Sequence, residues 1–273
     1  MKPRSYAILT TLLYLLMFAS PVSADLLKDI RARGELVVGV KDSIPPFGFV
    51  DPDTRTIVGY DIDFAKSIAR AFGVRLRTIP VTSSTRIPEL IQGKIDLIIA
   101  TMTHSKERET QIDFSHTYFV TGQKVLVRKD TGISAIEQLK GQKVSSVRGS
   151  TSEQNIRKAV PDVRVLSFND YPNAFQALAQ RKVVGMTTDE IILMELQRRA
   201  PNPGDYVLFD QYISSEPYGI GVRKGENALL DEVNRVLGKL EQASEAERIF
   251  NKWFGPKSTT PLKRNFKIGP AKL

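Results

Sequence analysis

Residues 101–108, Thr-Met-Thr-His-Ser-Lys-Glu-Arg, place two threonine hydroxyls and an arginine within one short segment. They follow Ile95–Ala100, a largely apolar run that is typical of a buried strand. A guanidinium binds a carboxylate through two parallel hydrogen bonds, and a hydroxyl can both donate and accept. Thr101, Thr103 and Arg108 can therefore converge on one small anion, and the segment predicts a carboxylate-binding site at the end of a strand.

Other polar side chains also follow predicted strands. Ligands of open α/β sheets bind beyond the carboxyl ends of the strands, so these side chains are the candidates for a shared site. The candidates in chain order are Lys41, Asp42, Ser83, Arg86, Thr101, Thr103, Arg108, Arg148, Ser150, Thr151, Tyr171, Thr188 and Asp189. Together they supply hydroxyls, cations and acids, which suits a polar binding site.

Several candidates also have a purely structural explanation. Arg108 lies in a run of charges that could form a solvated face, and Lys41 could pair with Asp42 at the surface. Asp189 precedes a helical pattern and could cap that helix, an explanation that fits as well as ligand binding. Ser150–Glu153 has the capping-box pattern, although a helix N-terminus also attracts anions. Packing of the ring alone would explain Tyr171.

The elements that must position these residues alternate between strands and helices. Apolar spacing predicts a helix over Gly59–Gly73 and, after it, an alternating strand over Val74–Val81. The remaining predicted strands are Leu36–Val40, Ile95–Ala100, Gly141–Val147, Val163–Phe168 and Val183–Thr187, and the remaining predicted helices are Leu26–Gly34, Arg86–Gly93, Ile133–Leu139, Gln154–Val160, Tyr171–Gln180, Asn227–Leu240 and Ser244–Trp253. This alternation predicts largely parallel α/β sheets in two similar lobes.

Several classes of chemistry lack their residues. The 273 residues include no cysteine and only two histidines, His104 and His116. A thiolate metal site, a disulfide framework and a cysteine nucleophile are therefore excluded, and two separate histidines are a poor basis for a zinc site or a catalytic triad. We predict no metal and no cofactor.

The first 24 residues have the pattern of a secretory signal peptide. Lys2 and Arg4 precede an apolar segment, and Val22-Ser23-Ala24 is a small-residue cleavage site. A retained membrane anchor is the alternative. The net charge of +9 comes from dispersed residues and not from a basic patch, so nucleic acid is not an expected partner.

The chain resembles the bacterial extracellular solute-binding proteins of the polar amino-acid type, which serve ABC importers. The resemblance rests on Gly59–Ala65, on Arg31–Val40, on Gly93–Asp96 with the clamp residues that follow, and on Trp253-Phe254. It covers Asp25 to Pro256. Within the family the chain looks closest to the glutamate/aspartate-binding branch, through Pro80–Pro88, Ser150–Glu153 and Tyr218-Gly219.

The resemblance implies roles for matching positions at the main-chain end of an amino-acid ligand. Arg108 would bind the α-carboxylate, with help from Thr101 and Thr103. Asp189 would bind the α-ammonium group, and Ser150 would add a hydrogen bond from the second lobe.

The resemblance also implies a distal site for the ligand's side chain, formed by Ser83, Arg86 and Lys41. Lys41 stands where the branch has arginine, and Tyr171 where it has histidine. Lysine keeps the charge but loses the planar fork, so glutamine, asparagine or another dicarboxylic amino acid stay open as ligands. Asp42, next to Lys41, could also face the ligand and accept an amine.

The resulting expectation is a two-lobed periplasmic binding protein fold, with two α/β lobes joined by two crossover strands. Lobe 1 is predicted over 25–118 and 219–256, lobe 2 over 119–218, and a loose basic tail over 257–273. The expected protein is a periplasmic monomer without enzymatic activity. It closes on an amino acid and delivers it to an inner-membrane permease. The expected ligand is glutamate, aspartate or a related polar amino acid. The alternatives are a cyclohexadienyl dehydratase-like enzyme on the same fold and a ligand sensor for a membrane receptor.

Overall fold

The structure, a computed structural model, describes residues 25–273. The signal peptide predicted over 1–24 lies outside the described residues. Within them the helices are α1 Leu26–Arg33, α2 Tyr60–Phe72, α3 Arg86–Ile91, α4 Lys106–Glu109, α5 Thr151–Ala159, α6 Tyr171–Ala179, α7 Glu190–Arg198, α8 Asn227–Gln242 and α9 Glu245–Phe254. The strands are β1 Glu35–Val40, β2 Ser43–Ile44, β3 Gly48–Val50, β4 Ile57–Val58, β5 Arg75–Pro80, β6 Leu97–Ile98, β7 Ile112–Arg128, β8 Lys143–Val147, β9 Arg164–Phe168, β10 Gly185–Asp189, β11 Tyr206–Leu208 and β12 Ser214–Arg223.

Most predicted elements form because their apolar residues share one face. In α2 the apolar residues at helical spacing, from Ile62 to Phe72, are buried, and Tyr60, Asp61 and Phe64 are buried with them. Two predictions were too long. The strand predicted over Ile95–Ala100 is reduced to β6, and the helix predicted over Ile133–Leu139 is one 3₁₀ turn, Ile136–Leu139.

The main sheet consists of two parallel groups joined by two long antiparallel strands. Its order is β5-β1-β6-β12-β7-β10-β8-β9, with β11 also paired to β7. In the first group β1 is parallel to β5 and β6, and in the second β8 is parallel to β9 and β10. β7 and β12 cross between the groups, which confirms the predicted fold class of two α/β lobes with two crossover strands.

The lobe boundaries predicted at 118/119 and 218/219 fall within β7 and β12. Phe119 and Tyr218 are paired across these strands. Phe119 also packs on Phe47 and Phe254, with ring centroids 5.0 and 5.1 Å apart. An apolar cluster therefore underlies the crossover, and the boundaries themselves stay predictions.

The prediction of a loose tail over 257–273 is wrong. Phe266 packs against Phe119 of β7 with ring centroids 5.4 Å apart, and Arg264 forms an ion pair with Glu241 of α8. The reason is that apolar side chains recur among the basic ones, and they pack against the core. These side chains are Leu262, Phe266 and Ile268.

Candidate functional site

All nine predicted ligand-binding residues lie where the parallel strands end. The turns after β1, β5 and β6 carry those of the first lobe, and the turns after β8, β9 and β10 carry those of the second. All nine are buried: Lys41, Ser83, Arg86, Thr101, Thr103, Arg108, Ser150, Tyr171 and Asp189. The topology thus brings both sets to facing edges, as parallel strands require.

Arg108 does not lie on a solvated face, because its side chain is only 7% exposed. Its Nη1 donates to the carbonyl oxygen of Thr103 at 2.9 Å, and its Nη2 donates to that of Gly149, in the second lobe, at 3.1 Å. No carboxylate of the described residues lies within ion-pair distance of it. Burial lowers the pKa of the guanidinium to about 9. A buried cation held only by carbonyls is suited to a ligand carboxylate.

Thr101 has a backbone conformation that is rare for a β-branched residue, with φ of +46°. Its backbone N–H donates to the carboxylate of Asp61 at 2.9 Å, and its hydroxyl donates to the carbonyl of Ala100 at 2.8 Å. Such strain persists where surrounding contacts hold it, and it concentrates at functional sites. Asp61 therefore fixes the exit of β6, a role that its position in α2 does not reveal.

Lys41, Ser83 and Arg86 form one buried group. Lys41 Nζ donates to Ser83 Oγ at 3.1 Å, so the alternative of a surface pair with Asp42 is wrong. Arg86 Nη1 donates to the carbonyl of Thr101 at 3.1 Å, while its Nε has no partner among the described residues. Burial lowers the pKa of Lys41 well below its usual value, and the charge of Arg86 lowers it further.

Asp61 is a buried carboxylate whose charge acts on Lys41 of this cationic group. It is fully buried and accepts from the hydroxyl of Tyr118 at 2.8 Å. Burial raises its pKa to about 7, while the charges of Arg86 and Lys41 act in the opposite direction. Negative charge beside the two cations offsets part of the cost of burying them.

Asp189 occupies the N-cap position of α7 but does not cap that helix with its side chain. Its Oδ2 accepts from the hydroxyl of Tyr218, and its buried Oδ1 has no partner among residues 25–273. Burial raises its pKa to about 7, and the negative charge of Glu216 raises it further. A buried carboxylate oxygen without a partner is costly unless a ligand supplies a donor.

Ser150 precedes α5, but the predicted capping box is wrong. Its hydroxyl donates to the carbonyl of Val147 at 2.5 Å and makes no cap bond, while Glu153 accepts from Ser167. The first N–H groups of α5 therefore stay directed at the cleft without a side-chain cap. Tyr171 begins α6 and is also buried, which raises the pKa of its phenol.

Gly149 lets the two lobes meet. Its φ is +77°, and a Cβ built there would lie 2.8 Å from the carbonyl oxygen of Ser83 in the first lobe. Arg108 bonds the same glycine from the first lobe. The described structure is therefore a closed arrangement, with the β8–α5 turn seated against the first lobe.

Glu216 and Asp61 were missed as site residues. Glu216, on β12, accepts from the hydroxyls of Thr103 and Thr151, both at 2.7 Å. A lone acid within the otherwise apolar stretch of β12 was the available signal, since buried acids require partners. Among the described residues no group of three or more histidines and acids is placed to hold a metal ion.

The arrangement as a whole presents opposite charges from opposite walls. Arg108 of the first lobe and Asp189 of the second are close enough for the negative charge of Asp189 to raise the pKa of Arg108, against the larger lowering by burial. Such a pair can hold a small molecule that carries both a carboxylate and an ammonium group. No helix of the described chain has the length and apolar character to span a bilayer.

Known proteins are similar to this chain in sequence and in fold. Residues 36–256 match the sequence profile of the bacterial extracellular solute-binding proteins, family 3. The ABC transporter glutamine-binding protein of Bacillus subtilis is 42% identical over 233 residues, 84% of this chain and 84% of its own. A glutamate/aspartate import solute-binding protein of Salmonella typhimurium is 30% identical over 261 residues, which span 91% of this chain and 86% of its own.

A solved structure agrees with the fold. An ancestral arginine-binding protein bound to glutamine superposes with a TM-score of 0.77 at 41% identity, covering 82% of this chain and 99% of the other. Sequence profile, relatives and architecture agree over nearly the same residues. The chain belongs to the bacterial extracellular solute-binding proteins, family 3.

Proposed function

We propose that this protein is the amino-acid-binding component of an ABC importer. The observation that carries the proposal is the opposed pair of Arg108 and Asp189. Both are buried, and among the described residues neither forms an ion pair with the other or with any other side chain. Leaving such charges uncompensated costs several kcal/mol per ion, so a zwitterionic ligand would stabilise the closed form.

In this proposal Arg108 binds the α-carboxylate, with the uncapped N-terminus of α5 facing it from the second lobe. Asp189 binds the α-ammonium group through Oδ1, the oxygen that lacks a partner. Thr101 and Thr103 complete the main-chain end of the site. Lys41, Ser83, Arg86 and Tyr171 contact the ligand's side chain.

L-Glutamine is the ligand that the balance of acidic and basic side chains supports best. The buried site holds three basic and three acidic side chains: Lys41, Arg86 and Arg108 against Asp61, Asp189 and Glu216. A ligand with a neutral side chain keeps this balance. An amide also accepts from cations and donates to hydroxyls, which fits a mixed group such as Lys41, Ser83 and Tyr171. The names of the relatives at 42% and 30% identity also make glutamine the first choice over glutamate or aspartate.

The predicted preference for glutamate or aspartate therefore stays an alternative. It rests on the two basic side chains of the distal group, and Asp61 weakens it because its charge already interacts with theirs. The same cations disfavour lysine and arginine as ligands, and they also oppose a dehydratase, which needs an acid over its ring. We infer binding without catalysis, outside the cytoplasm, by a monomer that passes its ligand to a membrane permease.

A thermal-shift screen of the twenty amino acids tests the ligand class. We expect L-glutamine to raise the melting temperature most, glutamate and aspartate less, and lysine and arginine not at all, because binding to the folded state alone stabilises it. Stabilisation by basic amino acids alone, or by none of the twenty, would contradict the proposal. Turnover of prephenate or arogenate would establish the enzymatic alternative.

A further inference from the structure

Glu216 has a buried carboxylate that is not among the proposed ligand contacts. It lies on the crossover strand β12 and is 1% exposed. Its Oε2 accepts from the hydroxyls of Thr103 and Thr151, and its Oε1 accepts from Ser214 at 2.6 Å and from Asn155 at 3.0 Å. Both oxygens are thus fully occupied by the protein, so Glu216 is not itself a ligand contact.

The hydroxyl of Thr103 has a single proton, which it donates in a hydrogen bond to Glu216. A carboxylate can only accept, so the Thr103 hydroxyl must donate to it and keeps only lone pairs for any other neighbour. A ligand group that meets this hydroxyl must therefore donate. The family resemblance implied that Thr103 helps to bind the α-carboxylate, whereas this geometry presents the Thr103 hydroxyl as an acceptor.

Thr103 and Glu216 belong to one rigid unit. The backbone segment of Thr103 runs beside β12, with the N–H of His104 donating to Pro217 at 2.8 Å and that of Gly219 donating to Met102 at 3.0 Å. The relation of Glu216 to Thr103 is thus fixed by backbone bonds on both sides.

The other partners of Glu216 come from α5 in the second lobe. Thr151 donates to Glu216 and accepts from Gln123 Nε2 at 2.9 Å. Asn155 Nδ2 donates both to Gln123 Oε1, at 2.9 Å, and to Glu216. Gln123 lies on β7 and Glu216 on β12, so the two crossover strands and α5 are joined by a closed ring of hydrogen bonds.

We propose that Glu216 is a positioning residue that couples ligand capture to closure of the lobes. It orients the Thr103 hydroxyl as an acceptor on the first lobe, and the same carboxylate fastens α5 of the second lobe to the crossover. The negative charge of Glu216 also raises the pKa of Asp189, so it acts on the residue that is proposed to bind the α-ammonium group. The proposal rests on the proposed amino-acid-binding function and adds to it a residue outside the ligand shell.

The test compares Glu216→Gln with wild type in the full chain, with L-glutamine as the probe. Glutamine keeps the shape but has a donating NH2 group at one end of its amide. Either the bond from Asn155 is lost, or the bonds with Thr103 and Thr151 reverse direction and the Thr103 hydroxyl no longer has to donate to residue 216. We expect calorimetry to show at least tenfold weaker binding, about 1.4 kcal/mol, and stopped-flow kinetics to show faster dissociation. The melting temperature of the ligand-free protein should stay close to that of wild type.

A distance measurement separates positioning from a merely structural role. The chain has no cysteine, so Lys94→Cys and Lys182→Cys place one spin label on an exposed site of each lobe. Saturating L-glutamine should shift the wild-type protein to one short distance, whereas the Glu216→Gln protein should keep a population at the longer distance.

Two further variants test whether the effect is specific to Glu216 and whether it acts through Thr151. Glu195→Gln is the matched control, since Glu195 is also buried but pairs with Arg198 and Arg199 at the end of its own helix; it should keep wild-type affinity. Thr151→Val should weaken binding, and the Glu216→Gln, Thr151→Val double variant should bind no worse than Glu216→Gln alone.

Affinity within twofold of wild type for Glu216→Gln, or additive losses in the double variant, would overturn the proposal while leaving the binding function intact. If wild type itself binds no amino acid, the proposed function fails, and this inference fails with it.

Discussion

At the scale of single residues, burial without a protein partner separates site residues from structural ones. Arg128 is buried like Arg108, but it pairs with Asp130, whereas Arg108 bonds only carbonyls. Glu195 is buried like Asp189, but two arginines flank it. The sequence could not make this distinction, because pattern alone fits capping by Asp189 as well as ligand binding. Residue types, strand ends and the family resemblance together predicted nine ligand-binding residues, and all nine are buried, but their roles in binding stay predictions.

The titration of Asp189 gives a prediction for the pH dependence of binding. Its pKa is raised to about 7 by burial in the closed arrangement, so the closed form without ligand increasingly holds a proton there as the pH falls below 7. An ammonium ligand needs the ionised form. Binding of L-glutamine should therefore weaken below pH 7 and should release a proton at pH 6. Calorimetry at pH 6 and 8, in buffers of different ionisation enthalpy, measures both effects.

The same shift has a consequence for stability with the opposite sign. Asp61 and Asp189 ionise at about pH 7 in the folded protein and at about pH 4 in the unfolded chain. Between these values the folded state binds more protons, so the contribution of the two acids to stability falls as the pH rises. Asp189→Asn should remove the proton release and flatten this dependence. If the wild-type protein binds L-glutamine with equal affinity at pH 6 and pH 8 and releases no proton, the assignment of this titration to Asp189 is refuted.

At the scale of elements, the turn between β8 and α5 shows what sequence patterns miss. Ser150–Glu153 predicted a helix start correctly but a capping box wrongly, because Ser150 bonds back to Val147 and Glu153 bonds Ser167. Local pattern cannot reveal a competing partner that is distant in the chain. The long strands β7 and β12 lack a simple alternation of apolar and polar residues. They pass through both lobes and are buried on both faces.

Gly149→Ala should weaken ligand binding by blocking closure at this turn. The added methyl would lie 2.8 Å from the backbone of Ser83, so the closed state must open slightly. We expect at least tenfold lower affinity for L-glutamine by calorimetry, together with about 1 kcal/mol of lost stability from the positive φ.

Gly141→Ala is the matched control for backbone strain. Gly141 has φ of +73° but no atom near its added Cβ. This variant should lose similar stability in urea denaturation and keep wild-type affinity. Equal affinities in the two variants would show that the contact between Gly149 and Ser83 does not limit closure.

At the scale of the whole molecule, the proposed site divides the charges of one ligand between the two lobes. The first lobe contributes Arg108 and the second contributes Asp189, so only the closed form can satisfy a zwitterion completely. Ligand binding then shifts the population towards closure, because the ligand contacts both lobes only in that state. The tail over 257–273 adds packing behind the crossover, through Phe266 on Phe119. The sequence predicted the two lobes from their alternating elements, but it could not reveal how the tail packs.

Calorimetric titration of L-glutamine into wild type and Arg108→Ala measures directly whether Arg108 binds the ligand. We predict binding near the micromolar scale for wild type, about 8 kcal/mol, and no measurable binding for Arg108→Ala, whose ligand-free melting temperature should not fall. The fold should survive because Arg108 has no ion pair among the described residues to lose. Near-normal affinity in Arg108→Ala would contradict the account.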